Sequence, residues 1–196
     1  MNLAVIALPE LLPDDVEHIQ SLRARHDPLH HQRIAPHVTL VFPTPDVDAK
    51  LLVAHVKSCV PAVASFAFSL RCAMPVPDPI TRRSLVYLVP DRGFSDFVRA
   101  HDLLYVGALR PSLRLDIPFI PHLRVGSFDD PNQAKQMADR LNDEGVSMFG
   151  TVTSLAVLDV GDDAVREVAR VELAAAAGVP AHSGTVRVSF RRLRGD

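Results

Sequence analysis

Short apolar runs alternate along this chain with segments in which apolar residues recur every three or four positions. Uninterrupted or period-two apolar runs predict strands, and the longer period predicts helices. The predicted strands cover residues 3–8, 36–42, 66–72, 85–90, 118–125 and 151–160, with a hairpin partner at 167–173 and a final strand at 185–193. The predicted helices cover residues 13–26, 48–61, 94–106 and 132–142. This mixture predicts an α+β protein.

Two connecting segments are predicted to be irregular. Residues 30–33, His-His-Gln-Arg, are expected to form a polar loop ahead of the second strand. Residues 74–80 hold three prolines and are expected to form an exposed or semi-rigid linker. Pro43 and Pro45 are expected to stop the strand of residues 36–42.

Residues 36–42, Pro-His-Val-Thr-Leu-Val-Phe, combine a predicted strand with titratable chemistry. Alternate residues of an extended chain point to opposite sides, which places His37, Thr39 and Val41 together. Phe42 then belongs to the apolar side, with the residues that anchor the strand. Taken alone, this segment is equally well explained as a half-buried strand with a surface histidine.

A second segment, residues 121–125, reads Pro-His-Leu-Arg-Val and follows nearly the same plan. Alternation places Arg124 on the same side as His122. The second histidine follows the first by 85 residues. The presence of a second copy favours a functional role for both histidine segments.

The two histidine strands belong to a longer internal repeat. Strand, helix, histidine strand, helix and strand occur in this order in residues 1–74 and again in residues 84–160, followed by a C-terminal segment at 161–196. We therefore predict a single bilobal domain over residues 1–196, with two pseudo-symmetric lobes of antiparallel sheet and helices around a central cleft. In this arrangement the two histidine strands are expected to lie side by side.

Composition and charge narrow the classes of function. The chain of 196 residues is 47% hydrophobic and 22% charged, as in globular proteins. A net charge of −2 gives no basic field, so we expect no binding to duplex DNA, whereas a small nucleotide or an RNA end is compatible. Without an apolar run of about 18 residues or a signal-peptide leader, no membrane association is expected. The two cysteines are predicted to be reduced thiols of a cytoplasmic protein, and we expect a monomer.

Two histidines facing one cleft can perform general acid–base catalysis. An imidazole with a pKa of about 6.5 can accept or donate a proton near neutral pH. Cleavage of a phosphodiester needs both roles, since one group deprotonates the attacking hydroxyl or water and the other protonates the leaving oxygen. A hydroxyl or guanidinium two residues further on can bind the non-bridging phosphate oxygens. No metal is required in this scheme.

The two histidine segments together resemble the 2H phosphoesterase superfamily, which includes 2′-5′ RNA ligase-like proteins and RNA 2′,3′-cyclic phosphodiesterases. The hallmark of that family is a duplicated His-x-Thr/Ser-hydrophobic motif, and residues 37–40 match it. The resemblance extends over about residues 3–160 and implies a LigT-like fold without a cofactor or metal. It implies that His37 and His122 are the catalytic acid and base and that Thr39 binds phosphate.

The second motif departs from the family pattern because Arg124 stands where threonine or serine is usual. We interpret Arg124 as a charged phosphate ligand that replaces the missing hydroxyl. The alternative is a cleft that binds a nucleotide or RNA end and has lost catalysis. Which histidine is the acid and which is the base stays open.

Other candidate groups carry simpler explanations. A metal site at His30, His31 and His37 is not expected, because adjacent residues of an extended chain point apart. Tyr87 and Phe119 could stack on a base, although packing in the core is the simpler role for both. Without a P-loop or a lysine motif for adenylylation, an ATP-dependent ligase is not predicted. Residues 75–83 and 108–114 are expected to form the loops that select the substrate.

Overall fold

The computed structural model describes residues 2–45, 47–161 and 164–175, together with the backbone of residues 186–187. Within these residues eight strands pair antiparallel: β1 Asn2–Leu11, β2 Val38–Pro45, β3 Phe66–Pro77, β4 Ser84–Arg92, β5 Leu123–Phe128, β6 Met148–Val160, β7 Val165–Glu172 and β8 Val186–Arg187. The α-helices are α1 Pro13–His26, α2 Pro28–Arg33, α3 Ala49–Cys59, α4 Phe94–Leu104 and α5 Pro131–Asp143, and Val60–Ala62 and Gly107–Ser112 form short 3₁₀ helices. The predicted α+β class is confirmed.

Local sequence explains where the helices begin and end. Asp48 precedes α3 and accepts hydrogen bonds of 2.9 and 3.0 Å from backbone N–H groups of its first turn. Asp130 accepts one of 2.9 Å ahead of α5. These carboxylates satisfy donors that have no partner within the helix. After α5 ends, Gly145 has a φ of 71°, in the left-handed region that glycine adopts without steric penalty.

Three connections and one strand differ from the sequence prediction. The strand predicted at 118–125 begins only at Leu123 and continues to Phe128 as β5. Residues 28–33 form the short helix α2 rather than a polar loop, with Pro28 in its first turn, where proline is well tolerated. The strand β2 continues through Pro43 to Pro45. The predicted linker is in part a strand, because β3 continues to Pro77 and pairs with β4 along this length.

The open edge of β3 explains why it accommodates prolines. β3 pairs with β6 only over Phe66–Leu70, so its proline-containing end has one edge without a partner strand in the described part of the chain. A proline whose nitrogen faces such an unpaired edge removes no ladder hydrogen bond. The predicted hairpin partner of β6 is confirmed as β7. The predicted final strand at 185–193 lies outside the described residues except for β8, which pairs with β1.

The strand order reproduces the internal repeat. The sheet runs β2-β1-β6-β3-β4-β5, with β7 on β6 and β8 on β1. Exchanging β1, β2 and β3 with β4, β5 and β6 gives the same order read backwards, as two pseudo-symmetric halves require. The histidine strands β2 and β5 therefore lie at opposite ends of this path, and the expectation that they lie side by side is wrong. Helices cross between the halves, since α1 contacts β5 and α4 contacts β2.

The main core joins both halves. It packs buried residues of α3, α4 and α5 against the sheet and includes Val38 and Leu40 of β2 and Leu123 and Val125 of β5. All four are at most 1% exposed. These residues alternate with Thr39 and Arg124, so packing of the core fixes the side on which the polar residues lie.

Candidate active site

A β-bulge interrupts the alternation of β2 just after its polar residue. Thr39 and Val41 pair with consecutive residues of β1, which leaves Leu40 as an extra residue. A bulge turns the residues that follow it onto the other face of the strand. Val41 is consequently buried in the core and Phe42 lines a pocket, the reverse of the predicted orientation.

A matching bulge lies in β5. Arg124 and Gly126 pair with consecutive residues of β4, which leaves Val125 as the extra residue. Leu40 and Val125 each stand three residues after the histidine of their motif. The internal repeat therefore includes the β-bulge in each of the two strands.

A single pocket of about 530 Å³ is lined by both predicted histidines. Thr39 and Arg124 also line it, so all four predicted site residues come together. His37 and His122 each stand immediately before their strand, at equivalent positions of the two halves. The remaining wall is largely apolar and is formed by Pro36, Phe42, Val76, Pro77, Pro79, Ile80, Leu85, Tyr87, Ile117, Pro118 and Ile120, with Asp78, Arg23 and His30.

Both catalytic candidates are held by the same backbone contact. His37 Nδ1 lies 2.8 Å from the carbonyl oxygen of Ala35, and His122 Nδ1 lies 2.6 Å from that of Ile120. A carbonyl oxygen only accepts, so Nδ1 donates in both rings. This fixes the tautomer and leaves Nε2 of each ring as the nitrogen for proton exchange.

Burial lowers the pKa of both imidazoles. The pKa of His37 falls to about 4, through burial first and then through the charges of Arg23 and Arg124, against the raising effect of the Ala35 carbonyl. The pKa of His122 also falls to about 4, with burial again the largest cause and with His37 and Arg124 adding to it. With these pKa values both rings of the free protein are neutral at pH 7.

Two further rings contact the histidine pair. Tyr87 stacks on His122 with ring centroids 3.4 Å apart and planes inclined by 12°. His30 lies beside His37 with centroids 5.8 Å apart, and burial lowers the pKa of His30 to about 2. Tyr87 thus supports His122, and His30 is a third, neutral imidazole in the pocket.

An ion pair joins the second motif to the end of α1. Arg124 Nε lies 2.6 Å from Asp27 Oδ2, and Arg124 Nη2 donates to Asp27 Oδ1 at 3.0 Å. Asp27 is 4% exposed and Arg124 is 24% exposed at its side chain. The predicted phosphate ligand Arg124 is therefore already held by a buried carboxylate.

Arg23 is a second cation at this site, and it is more deeply buried than Arg124. It is 1% exposed and donates to the carbonyl oxygens of His30 and Ile34 at 3.1 and 2.5 Å and to Gln20 Oε1 at 2.9 Å. Burial lowers its pKa to about 10, while the charge of Asp27 raises it and that of Arg124 lowers it. Arg23, Asp27 and Arg124 together form what we call the charged cluster.

Sequence reasoning did not place Arg23, Asp27 or His30 at the phosphate site, and it considered His30 only as a metal ligand. Arg23 follows Val16, Ile19 and Leu22 at helical spacing, so an arginine in that stripe was a signal for a buried cation. Asp27 stands between two helices as an ordinary boundary residue, and nothing local marks its partner 97 positions away.

Several other predictions concern residues near this pocket. Phe119 stacks on His101 with centroids 3.8 Å apart and packs against the core, in line with the simpler role. Residues 76–80 of the predicted substrate loop line the pocket, whereas the other wall comes from residues 117, 118 and 120 rather than from 108–114.

Among the described residues, no three histidine, cysteine, aspartate or glutamate side chains form a group suited to a metal ion. No helix in the described ranges is long and apolar enough to cross a membrane.

Comparison with solved structures agrees with this fold. The chain is 19% identical to TT0787 of Thermus thermophilus, with a TM-score of 0.58 over 89% of this chain and 99% of the other. It is 19% identical to Escherichia coli LigT solved with 3′-AMP, with a TM-score of 0.54 over 88% of this chain and 99% of LigT. A structure described as a phosphoesterase has a TM-score of 0.52 at 19% identity, over 88% and 98% of the two chains. No curated protein matches the chain.

The fold and the paired histidines define a LigT-like protein of the 2H phosphoesterase class. The family model of the 2′-5′ RNA ligase superfamily matches residues 11–164. The chain belongs to that superfamily, which supports a phosphoesterase or RNA ligase-like function.

Proposed function

We propose that this protein is a metal-independent 2H-type phosphoesterase, a cyclic phosphodiesterase or 2′-5′ RNA ligase-like enzyme, acting on a cyclic phosphate or an RNA end. The observation that carries this proposal is the pair of imidazoles in one pocket, each with Nδ1 donating to the carbonyl two residues before it. Two Nε2 atoms are then available to one phosphorus. We further propose that it works as a cytoplasmic monomer, with no duplex DNA or membrane as partner.

The chemistry assigns complementary roles to the two rings. One neutral imidazole takes a proton from water as the oxygen attacks phosphorus, and the other, as imidazolium, gives a proton to the oxygen whose bond to phosphorus breaks. Thr39 Oγ1 and the Arg124 guanidinium bind the non-bridging oxygens. A bound phosphate anion raises the pKa of a neighbouring histidine, so substrate binding itself favours the protonated ring that the reaction needs.

The pocket wall supports a compact substrate. Beyond the polar residues, its lining is mainly aliphatic residues and prolines, which suit a nucleoside or another weakly polar group. The solved complexes of Escherichia coli LigT with 3′-AMP and NADP+ belong to a protein of the same fold and agree with a nucleotide-like ligand.

The test is hydrolysis of a 2′,3′-cyclic nucleotide and of an RNA with a 2′,3′-cyclic end, in the presence of EDTA. We expect turnover by the wild type and a loss of about 100-fold or more in the variants His37→Gln and His122→Gln. His18→Gln is the matched control, because His18 is exposed on α1 and does not line the pocket. Full activity in either pocket variant, with folding intact, would refute the mechanism.

A second candidate function is a non-catalytic module that binds a nucleotide or RNA end. The neutral state of both imidazoles in the free protein favours it, since neither ring then holds a proton to donate at pH 7. Binding of a nucleoside 2′-monophosphate without hydrolysis of either cyclic substrate would decide for this candidate.

A further inference from the structure

The Asp27–Arg124 pair brings together two parts of the chain that sequence keeps far apart. Asp27 stands between α1 and α2, whereas Arg124 belongs to β5 in the other half. Within the described part of the chain, Arg124 Nε and Asp27 Oδ2 are buried and have no polar partner apart from each other. Breaking the pair would leave the buried Asp27 carboxylate without the two contacts from Arg124, which is unfavourable.

The two contacts fix the orientation of the guanidinium. Nε and Nη2 of Arg124 both face Asp27, and together they form the planar fork that carboxylates accept. Arg124 Nη1 makes no hydrogen bond with any described residue, and Arg124 lines the pocket. A guanidinium held by one edge presents its remaining N–H groups in a fixed direction.

We propose that Asp27 is a positioning residue that holds Arg124 in place of the hydroxyl missing from the second motif, so that Nη1 binds a non-bridging oxygen of the substrate phosphate. This inference rests on the proposed function only in taking the pocket as a phosphate site. Asp27 does not line the pocket and acts only through Arg124. The ligand is a phosphate or phosphodiester group.

Arg23 explains how a carboxylate can stand beside an anion site. Asp27 lowers the positive charge of the pocket, which by itself would weaken the binding of a phosphate. Arg23 is buried next to Asp27 and compensates its charge. The charged cluster therefore keeps a net charge of +1 at the pocket, which Arg23 and Arg124 both line.

Positioning and simple electrostatics predict opposite results for one substitution. Asp27→Asn removes a negative charge next to the pocket, so electrostatics alone predicts tighter binding of inorganic phosphate. If Asp27 positions Arg124, the same variant binds phosphate more weakly, because the guanidinium loses its fixed orientation. We expect about a tenfold or greater loss of affinity, as for a hydrogen bond to a charged group.

The experiment titrates inorganic phosphate into the folded full-length chain and measures binding by calorimetry and by histidine NMR. Arg124→Lys keeps the charge and loses the fork, so we expect a loss similar to that of Asp27→Asn and little further loss in the double variant. Asp129→Asn is the control, since it breaks the exposed Arg83–Asp129 pair outside the pocket lining and should leave affinity unchanged.

Three outcomes separate the hypotheses. Unchanged or tighter phosphate binding by Asp27→Asn overturns the positioning role, even if the enzyme proves to be a phosphoesterase. Additive losses in the double variant also overturn it, because independent contributions add. Absence of phosphate binding by the wild type refutes the phosphate site itself, and with it both the proposed function and this inference.

Discussion

At the scale of single residues, burial lowers the pKa of both histidines and neighbouring positive charges lower it further. Arg124 contributes to this lowering for His37 and for His122, in addition to the larger effect of burial. The same guanidinium that can bind a phosphate therefore opposes protonation of the rings in the free protein. A substrate anion reverses this effect, because it compensates the guanidinium and favours the imidazolium.

Replacing Arg124 by threonine restores the usual family residue and removes this positive charge. We expect the pKa of both histidines to rise in the ligand-free protein, since a nearby cation disfavours the imidazolium. The measurement is a pH titration of the ring resonances by NMR. Arg83→Thr is the control, because Arg83 pairs with Asp129 away from the pocket lining. An unchanged or lower pKa for both rings would contradict the assigned role of Arg124.

At the scale of elements, helix α4 supports the bulge in β2. The bulge removes Leu40 from the regular ladder. The carbonyl oxygen of Leu40 instead accepts a hydrogen bond of 2.7 Å from His101 Nδ1. The N–H of Phe42 donates to Tyr105 Oη at 3.0 Å. Both partners lie on or just after α4, in the other half of the chain. The helix thus holds the segment that places Thr39 and Phe42 in the pocket.

Tyr105→Phe tests this support. The variant removes the acceptor of the part-buried Phe42 N–H, so we expect the free energy of unfolding to fall by about 1 kcal/mol, the usual contribution of a hydrogen bond. Urea denaturation measures it. Tyr87→Phe is the matched control, because the Tyr87 hydroxyl makes no hydrogen bond with any described residue. Equal losses in the two variants would contradict a specific role for the Tyr105 hydroxyl.

Sequence patterns predicted the elements better than their irregularities. Alternation correctly grouped Thr39 with His37 and Arg124 with His122, because it is a local property. The predicted bounds of β2 were wrong by a few residues, whereas the strand predicted at 118–125 is observed only as Leu123–Phe128. The bulges were not predictable, since they depend on pairing with β1 and β4. The Asp27–Arg124 contact could not be predicted either, because it depends on the packing of α1 against β5.

At the scale of the whole molecule, the two histidine strands are far apart in the strand order, yet both contribute to one pocket. β2 and β5 are the two ends of the path, yet residues of both line one cavity. The sheet must therefore bend so that its ends approach each other. The crossed packing of α1 on β5 and α4 on β2 ties each half to the other. The pocket accordingly forms only when both halves fold, which links its histidines to global stability.

This link predicts a pH dependence of stability. His30, His37 and His122 have pKa values of about 2, 4 and 4 in the folded chain, whereas an unfolded histidine has about 6.5. Below pH 6.5 the unfolded state binds more protons, so the free energy of unfolding falls as the pH falls toward 4. The slope is at most about 1.4 kcal/mol per pH unit for each histidine. Urea denaturation at pH 7.5, 6 and 5 measures it.

Histidine substitutions and phosphate binding identify which groups cause the pH dependence of the free energy of unfolding. His37→Gln and His122→Gln should each flatten the dependence between pH 6.5 and 4, because they remove a group that must be neutral in the folded chain. His18→Gln, on the exposed side of α1, should leave it as it is. Phosphate should also reduce the slope, since a bound anion stabilises the imidazolium in the folded state. A slope unaffected by both pocket variants would mean that the two rings are protonated as readily in the folded chain as in the unfolded one.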